Sequence, residues 1–174
     1  MPTASTININ RAPVLTLWAA VVAKRLGFDW DEALSLGKAV AGLNAQSKGR
    51  RLGIFKPSPK VAQARKKKHG EEFRIDLLGR QVPATRTNDG VRAVNKDKPV
   101  EPDGVQRYLA SKFGDDLDTV RKAMEALAKS LPPAQLAVRA FDLYAEFRPS
   151  IPPGKAGWGA KGVLDLGLIV RLAW

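Results

Sequence analysis

The sequence predicts a mostly helical α+β protein, and three observations support this class. Apolar residues recur at helical spacing in the first part of the chain and again in the last part. Between them, a short region alternates apolar with polar residues, as half-buried strands do. That region contains Asn88-Asp89-Gly90, a strong turn signal. We therefore expect a helical hairpin, a small antiparallel sheet and a layer of three helices, in that order.

Composition and charge divide the chain into four regions. We expect the helical hairpin in residues 1–47, a basic arm in 48–70, a small β segment in 71–100 and a helical region in 101–174, with a Gly/Pro-rich loop at 149–162. A length of 174 residues fits one compact domain. The apolar fraction of 44% and the charged fraction of 26% are ordinary for a globular protein.

The first predicted helix runs from Ala12 to Leu26, where Asn10 can cap it and Gly27 can end it. A short edge strand at residues 7–9 can precede it. Its apolar face is predicted to contain Val14, Leu17, Trp18, Val21, Val22 and Leu26.

The second helix follows Asp29, which with Glu32 has the spacing of a capping box. Apolar positions carry it to about Asn44, and residues 47–52 can extend it.

Residues 19–38 resemble a helix-turn-helix motif. Ala23 occupies the small position of the first helix, Gly27 lies at the turn, and the apolar positions are filled by Val22, Leu26, Phe28, Ala33 and Leu36. The resemblance implies that residues 29–32, 34 and 35 would enter the major groove of DNA. Asp29, Asp31 and Glu32 would then face phosphates. We therefore favour a helical hairpin that packs into the core, with DNA reading as the alternative.

The predicted sheet begins with Phe73, Ile75 and Leu77, which alternate with polar residues. Gly79 interrupts this strand. A second strand spans residues 81–87, where Pro83 would confine it to an edge or a bulge, and residues 91–94 return as its partner. If the arginines of these strands share a face, they extend the basic surface; they are Arg74, Arg80, Arg86 and Arg92.

Residues 95–102 are predicted to be a linker, and three helices follow. Asp103 is expected to cap a helix over residues 105–113, and Asp115 or Asp116 one over 117–131. Pro132-Pro133 opens the third, over 134–147, whose buried face should contain Leu136, Ala137, Ala140, Phe141, Tyr144 and Phe147. Residues 163–172 form a final helix or strand.

The distribution of charge carries most of the functional information. The chain has a net charge of +12, of which residues 48–100 carry +10, with fifteen Lys/Arg and five Asp/Glu. The regions on either side carry +1 each. A localised block of positive charge is typical of a surface that binds a polyanion.

The centre of this block is the basic stretch, residues 48–68, which contains no acidic residue. Lysine supplies a point charge to a phosphate, and arginine supplies a planar fork for two oxygens. We therefore predict a non-enzymatic protein that binds the backbone of DNA or RNA with little sequence specificity. The expected contacts are Lys48, Arg50, Arg51, Lys56, Lys60, Arg65, Lys66, Lys67, Lys68, Arg74 and Arg86.

Residues 157–162 read GWGAKG and match G-x-G-x-x-G literally. The segment does not follow an early strand, and no acidic residue follows at the expected distance, so we do not interpret it as a dinucleotide site. A weaker hypothesis is that its exposed amides and lysines hold a phosphate, through Lys155, Gly157, Gly159 and Lys161. Alternatively, the glycines form a loop that packs Trp158 against the core.

Other functional classes have less support. The chain contains no cysteine and one histidine, His69, so we expect no metal site, no cofactor and no catalytic residues. No secretory signal or membrane-spanning run is recognisable, and we expect a cytoplasmic protein. The alternatives are an interaction module that docks an acidic partner or forms a homo-oligomer and, with less support, an enzyme that acts on a phosphorylated substrate.

Overall fold

A computed structural model describes residues 6–51, 72–95, 98–150 and 161–173. The predicted fold class is confirmed: the protein is α+β, mostly helical, with two small antiparallel sheets. The helices are α1 (Arg11–Arg25), α2 (Trp30–Arg51), α3 (Pro102–Phe113), α4 (Leu117–Lys129), α5 (Pro133–Phe147) and α6 (Leu166–Leu172). The strands are β1 (Thr6–Asn10), β2 (Glu72–Leu77), β3 (Arg80–Thr87), β4 (Gly90–Asn95), β5 (Lys98–Pro99) and β6 (Lys161–Asp165).

Helix α1 is the centre of the core. Every residue from Pro13 to Ala23 is buried, so the helix has no exposed face along this length, contrary to the single apolar face that we predicted. The indole Nε1 of Trp18 donates a hydrogen bond to the carbonyl of Ala140 at 2.9 Å. Its ring meets Phe147 edge-on, with the ring centroids 5.3 Å apart. These contacts fix α5 against α1.

Helices α1 and α2 form the predicted hairpin and approach each other closely at Gly37. A Cβ built at this position would lie 2.5 Å from the carbonyl oxygen of Thr16 and 2.9 Å from the amide nitrogen of Ala20. Only glycine fits this contact without displacing a backbone. Gly27, with φ of 121°, provides the turn between the two helices. The front of the basic stretch does extend α2, as predicted, as far as Arg51.

The four-stranded sheet has the order β2-β3-β4-β5. A two-residue turn joins β2 to β3, and both of its residues, Leu78 and Gly79, have positive φ. The predicted Asn88-Asp89-Gly90 turn joins β3 to β4. Strand β3 lies inside the sheet, but its ladder with β4 begins at Ala84, so Pro83 is paired with β2 alone.

The second part of the chain corrects three predictions. The segment expected to be a linker contains β5, which pairs with β4 through Pro99 and Val94. Helix α3 begins at Pro102, so Asp103 lies inside its first turn instead of capping it. Ala137 is exposed on α5, whereas Leu143 is buried. As predicted, the end of the chain forms regular structure; it is a strand, β6, followed by a short helix, α6.

The two-stranded sheet joins the two ends of the described chain. Strand β1 pairs with β6 in an antiparallel ladder from Thr6 and Asp165 to Asn10 and Lys161. An isolated bridge between Ser150 and Val163 continues it. The start of α1, the end of α5 and both flanks of residues 151–160 therefore lie close together.

Candidate nucleic-acid interface

The basic stretch begins in the last turn of α2. Lys48, Arg50 and Arg51 belong to that turn. The structure thus gives the first three predicted contacts a helical backbone.

Most of the other predicted contacts lie outside the described residues. These are the remaining members of the basic stretch and most of the glycine loop: Lys56, Lys60, Arg65, Lys66, Lys67, Lys68, Lys155, Gly157 and Gly159. Lys161 is the first residue of β6, where its backbone is opposite Asn10.

The arginines of the sheet do not share a face. Paired residues of neighbouring antiparallel strands point to the same side. The pairs Arg74 with Pro83 and Arg92 with Thr85 therefore lie on one face. Arg80 and Arg86 are offset by an odd number of residues in β3 and lie on the other face. The suggestion of one continuous basic face is therefore wrong.

Two of these arginines are exposed, and one is buried. Arg74 Nη1 lies 3.3 Å from Glu72 Oε2, so its charge is partly compensated, although half of its side chain is exposed. Arg86 is exposed and lies over the ring of Phe73, with its guanidinium carbon 5.3 Å from the centroid. Arg92 is buried and donates to the carbonyl of Val91 at 2.9 Å and to the carbonyl of Asp89 at 3.4 Å, so it stabilises the β3–β4 turn. The exposed pair, Arg74 and Arg86, is the pair that the sequence proposed as contacts.

The start of α2 docks against the edge of β4. Glu32 Oε2 accepts a hydrogen bond from the amide of Val91 at 2.8 Å. Ser35 Oγ accepts one from the amide of Ala93 at 2.8 Å and donates to the carbonyl of Val100 at 2.7 Å. Two helix side chains thus satisfy strand amides at this edge.

The predicted capping box is present in the same turn. Asp29 Oδ1 accepts from the amide of Glu32 at 2.8 Å, and Glu32 Oε1 accepts from the amide of Asp29 at 3.0 Å. Trp30 lies beneath Arg121, whose guanidinium carbon is 3.8 Å from the ring centroid. Of the positions that a helix-turn-helix would insert into DNA, four therefore make internal contacts: Trp30, Glu32, Leu34 and Ser35. This arrangement favours the packed hairpin over DNA reading by α2.

A second group of cations was not identified from the sequence. Lys24 and Arg25 of α1 meet Glu125 and Lys129 of α4 around a cavity of about 220 Å³, with Val21 and Ala128 as its apolar wall. Arg25 Nη2 donates to the carbonyl of Leu131 at 3.3 Å. Basic residues in the last turns of α1 and α4 were the available signal, but such residues are common at helix ends. Their convergence depends on tertiary packing.

Burial affects the ionisation of several groups in the fold. It raises the pKa of Tyr144 to about 12, while the nearby charges of Arg11 and Arg148 oppose that effect. Burial also lowers the pKa of Lys38, and the charge of Lys112 lowers it further. Lys38 remains close to an aromatic ring, with its Nζ 4.0 Å from the centroid of Tyr108.

Comparison with protein-family models, curated proteins and solved structures gives no match for this chain. None of the helices in the described ranges is long and apolar enough to cross a membrane.

Proposed function

We propose that this protein binds nucleic acid in the cytoplasm through backbone phosphates, with the basic stretch as its principal contact. The observation that carries the proposal is the charge distribution: residues 48–100 hold +10 of the net +12. Neutralising phosphates with Lys and Arg releases condensed counterions, and this release drives binding to any sequence.

The structure supports the proposal in two respects. Helix α2 is continuous to Arg51, so the first cations of the stretch belong to a helix whose other end is fixed by Glu32 and Ser35. Arg74 and Arg86 are exposed on opposite faces of the adjoining sheet. Such contacts position a polymer and do not read its bases.

The test is a salt titration of binding to a duplex DNA and to an RNA of equal length, after a check of the 260/280 nm absorbance ratio for co-purified nucleic acid. We expect affinity to fall steeply with salt, with a slope of about −0.9 per phosphate neutralised on duplex DNA. The preferred polymer is the one bound more tightly at equal salt.

A pair of matched variants locates the contact. The first replaces Arg65, Lys66, Lys67 and Lys68 by alanine. The second removes the same charge from exposed positions of α3, α4 and α5, namely Arg107, Lys112, Lys122 and Arg139. The first variant should bind all sequences more weakly with a shallower salt slope, and the second should lose much less. Equal losses would mean that total charge, not the basic stretch, governs binding. Absence of binding by the natural chain at low salt would refute the proposal and leave the acidic-partner alternative.

A further inference from the structure

The cavity between α1 and α4 is lined by more cations than carboxylates. It lies where the last turn of α1 passes α4, and its charged lining consists of Lys24, Arg25, Lys129 and one carboxylate, Glu125. A volume of about 220 Å³ is many times the roughly 10–15 Å³ that one water molecule requires. The space therefore fits an anion with several non-hydrogen atoms.

The charges around this cavity do not cancel. Glu125 Oε2 lies 3.5 Å from Arg121 Nε, so the single carboxylate of the wall already has a cationic neighbour on its own helix. Within the described residues, none of the three cations of the wall, Lys24, Arg25 and Lys129, forms an ion pair with a carboxylate. Like charges gathered around a concave, partly apolar surface concentrate anions there.

Arg25 is held in place in the wall of the cavity. Its Nη2 donates a hydrogen bond to the carbonyl of Leu131 at 3.3 Å, and the residue belongs to the cavity lining. Its Nε is buried, out of reach of an anion in the cavity, and has no hydrogen-bond partner among the described residues. The fold therefore fixes the position of one cation of the wall.

Helix dipoles explain only part of the arrangement. Lys24 and Arg25 lie in the last turn of α1, and Lys129 lies in the last turn of α4, where cations are favoured. The dipole accounts for basic residues at each helix end separately. It does not account for their convergence on one cavity.

We propose that the α1–α4 cavity binds a phosphate group, with Lys24 and Lys129 supplying mobile charge and Arg25 a fixed guanidinium. Lysine and arginine are the side chains that recognise phosphate oxygens. The phosphate belongs either to a small phosphorylated molecule or to the backbone of a nucleic acid. The proposal rests on the described residues of α1 and α4 and is independent of the basic stretch.

The experiment titrates inorganic phosphate with the protein in chloride buffer of fixed ionic strength and follows the ³¹P line width. The natural chain should broaden the resonance saturably. Lys24→Ala/Lys129→Ala should weaken binding about tenfold, equivalent to about 1.4 kcal/mol. Two control variants change exposed lysines outside the cavity: the single Lys122→Ala and the double Lys112→Ala/Lys122→Ala. Both should retain the phosphate binding of the natural chain. Broadening that does not saturate, or that is equal in both double variants, would overturn the proposal.

Glu125→Gln provides a test with the opposite sign. Removing the one carboxylate of the wall should tighten phosphate binding, and unchanged or weaker binding would count against the site.

Duplex DNA then distinguishes the two sources of phosphate. If the cavity variant also loses DNA affinity beyond its matched lysine control, the phosphate is that of the backbone; otherwise, it is that of a small molecule. The Arg65–Lys68 variant should leave ³¹P broadening unchanged, so failure of either proposal is seen separately.

Discussion

Replacing Glu32 by alanine tests the contact that joins the helical hairpin to the sheet. Glu32 accepts two hydrogen bonds, from the exposed amide of Asp29 and from the amide of Val91, a residue that is only 5% exposed. Leaving the Val91 amide without an acceptor should cost about 1–3 kcal/mol. Losing one half of the capping box should add about 0.5–1 kcal/mol. We expect a total loss of about 1.5–4 kcal/mol in the free energy of unfolding.

The assay is equilibrium unfolding in urea followed by tryptophan fluorescence. Asp31→Ala is the matched control, because it removes an exposed carboxylate from the same first turn. Both variants lose the same favourable interaction with the helix dipole, about 0.3–1 kcal/mol. Glu32→Gln keeps an oxygen acceptor and should recover part of the loss. If Glu32→Ala is no more destabilising than Asp31→Ala, the Glu32 side chain does not hold α2 against β4, and DNA reading by α2 becomes tenable again.

Two further predictions concern the core. Gly37→Ala should destabilise the protein by about 1–3 kcal/mol, because the new methyl group meets backbone atoms of α1; Gly42→Ala, where nothing lies within 4 Å, should be neutral or stabilising in the same urea assay. Equal effects would disprove the close approach. Burial raises the pKa of Tyr144 to about 12, above the value near 10 of an unfolded chain. The unfolded state thus loses its proton first, so stability should fall as pH rises from about 10 to 12, by about 2–3 kcal/mol at most. Tyr144→Phe should flatten that fall, and an unchanged alkaline profile in this variant would contradict it.

Local chemistry made several features predictable from the sequence. The capping box of Asp29 and Glu32 needs only residues three positions apart, and it is present as predicted. The glycine of the β3–β4 turn has φ of 120°, a conformation that favours glycine, so the turn signal was specific. Pro133 opens α5, as predicted, because proline suits the first turn of a helix. Each of these signals is complete within a few residues.

Features that depend on strand register or tertiary packing were not predictable in this way. The β2–β3 register depends on Leu78, which adopts a φ of 50° although leucine does not favour that conformation. A shift of one residue would have reversed the face of every side chain in β2 relative to β3. The distribution of arginines over two faces follows from that register. The α1–α4 cavity likewise joins Lys24 to Lys129, which are far apart in the sequence.

The burial of α1 on all sides has a consequence for how this helix tolerates substitution. A surface helix accepts polar residues once per turn, so its tolerance varies with a period of about 3.6 residues. Pro13 to Ala23 are all buried, so this stretch has no position at which an aspartate or lysine would reach water from the native backbone. In a saturation library, charged residues should be rejected at every position of the stretch without periodicity. Helix α1 would then have the mutational profile of a membrane span, with the protein interior in place of lipid.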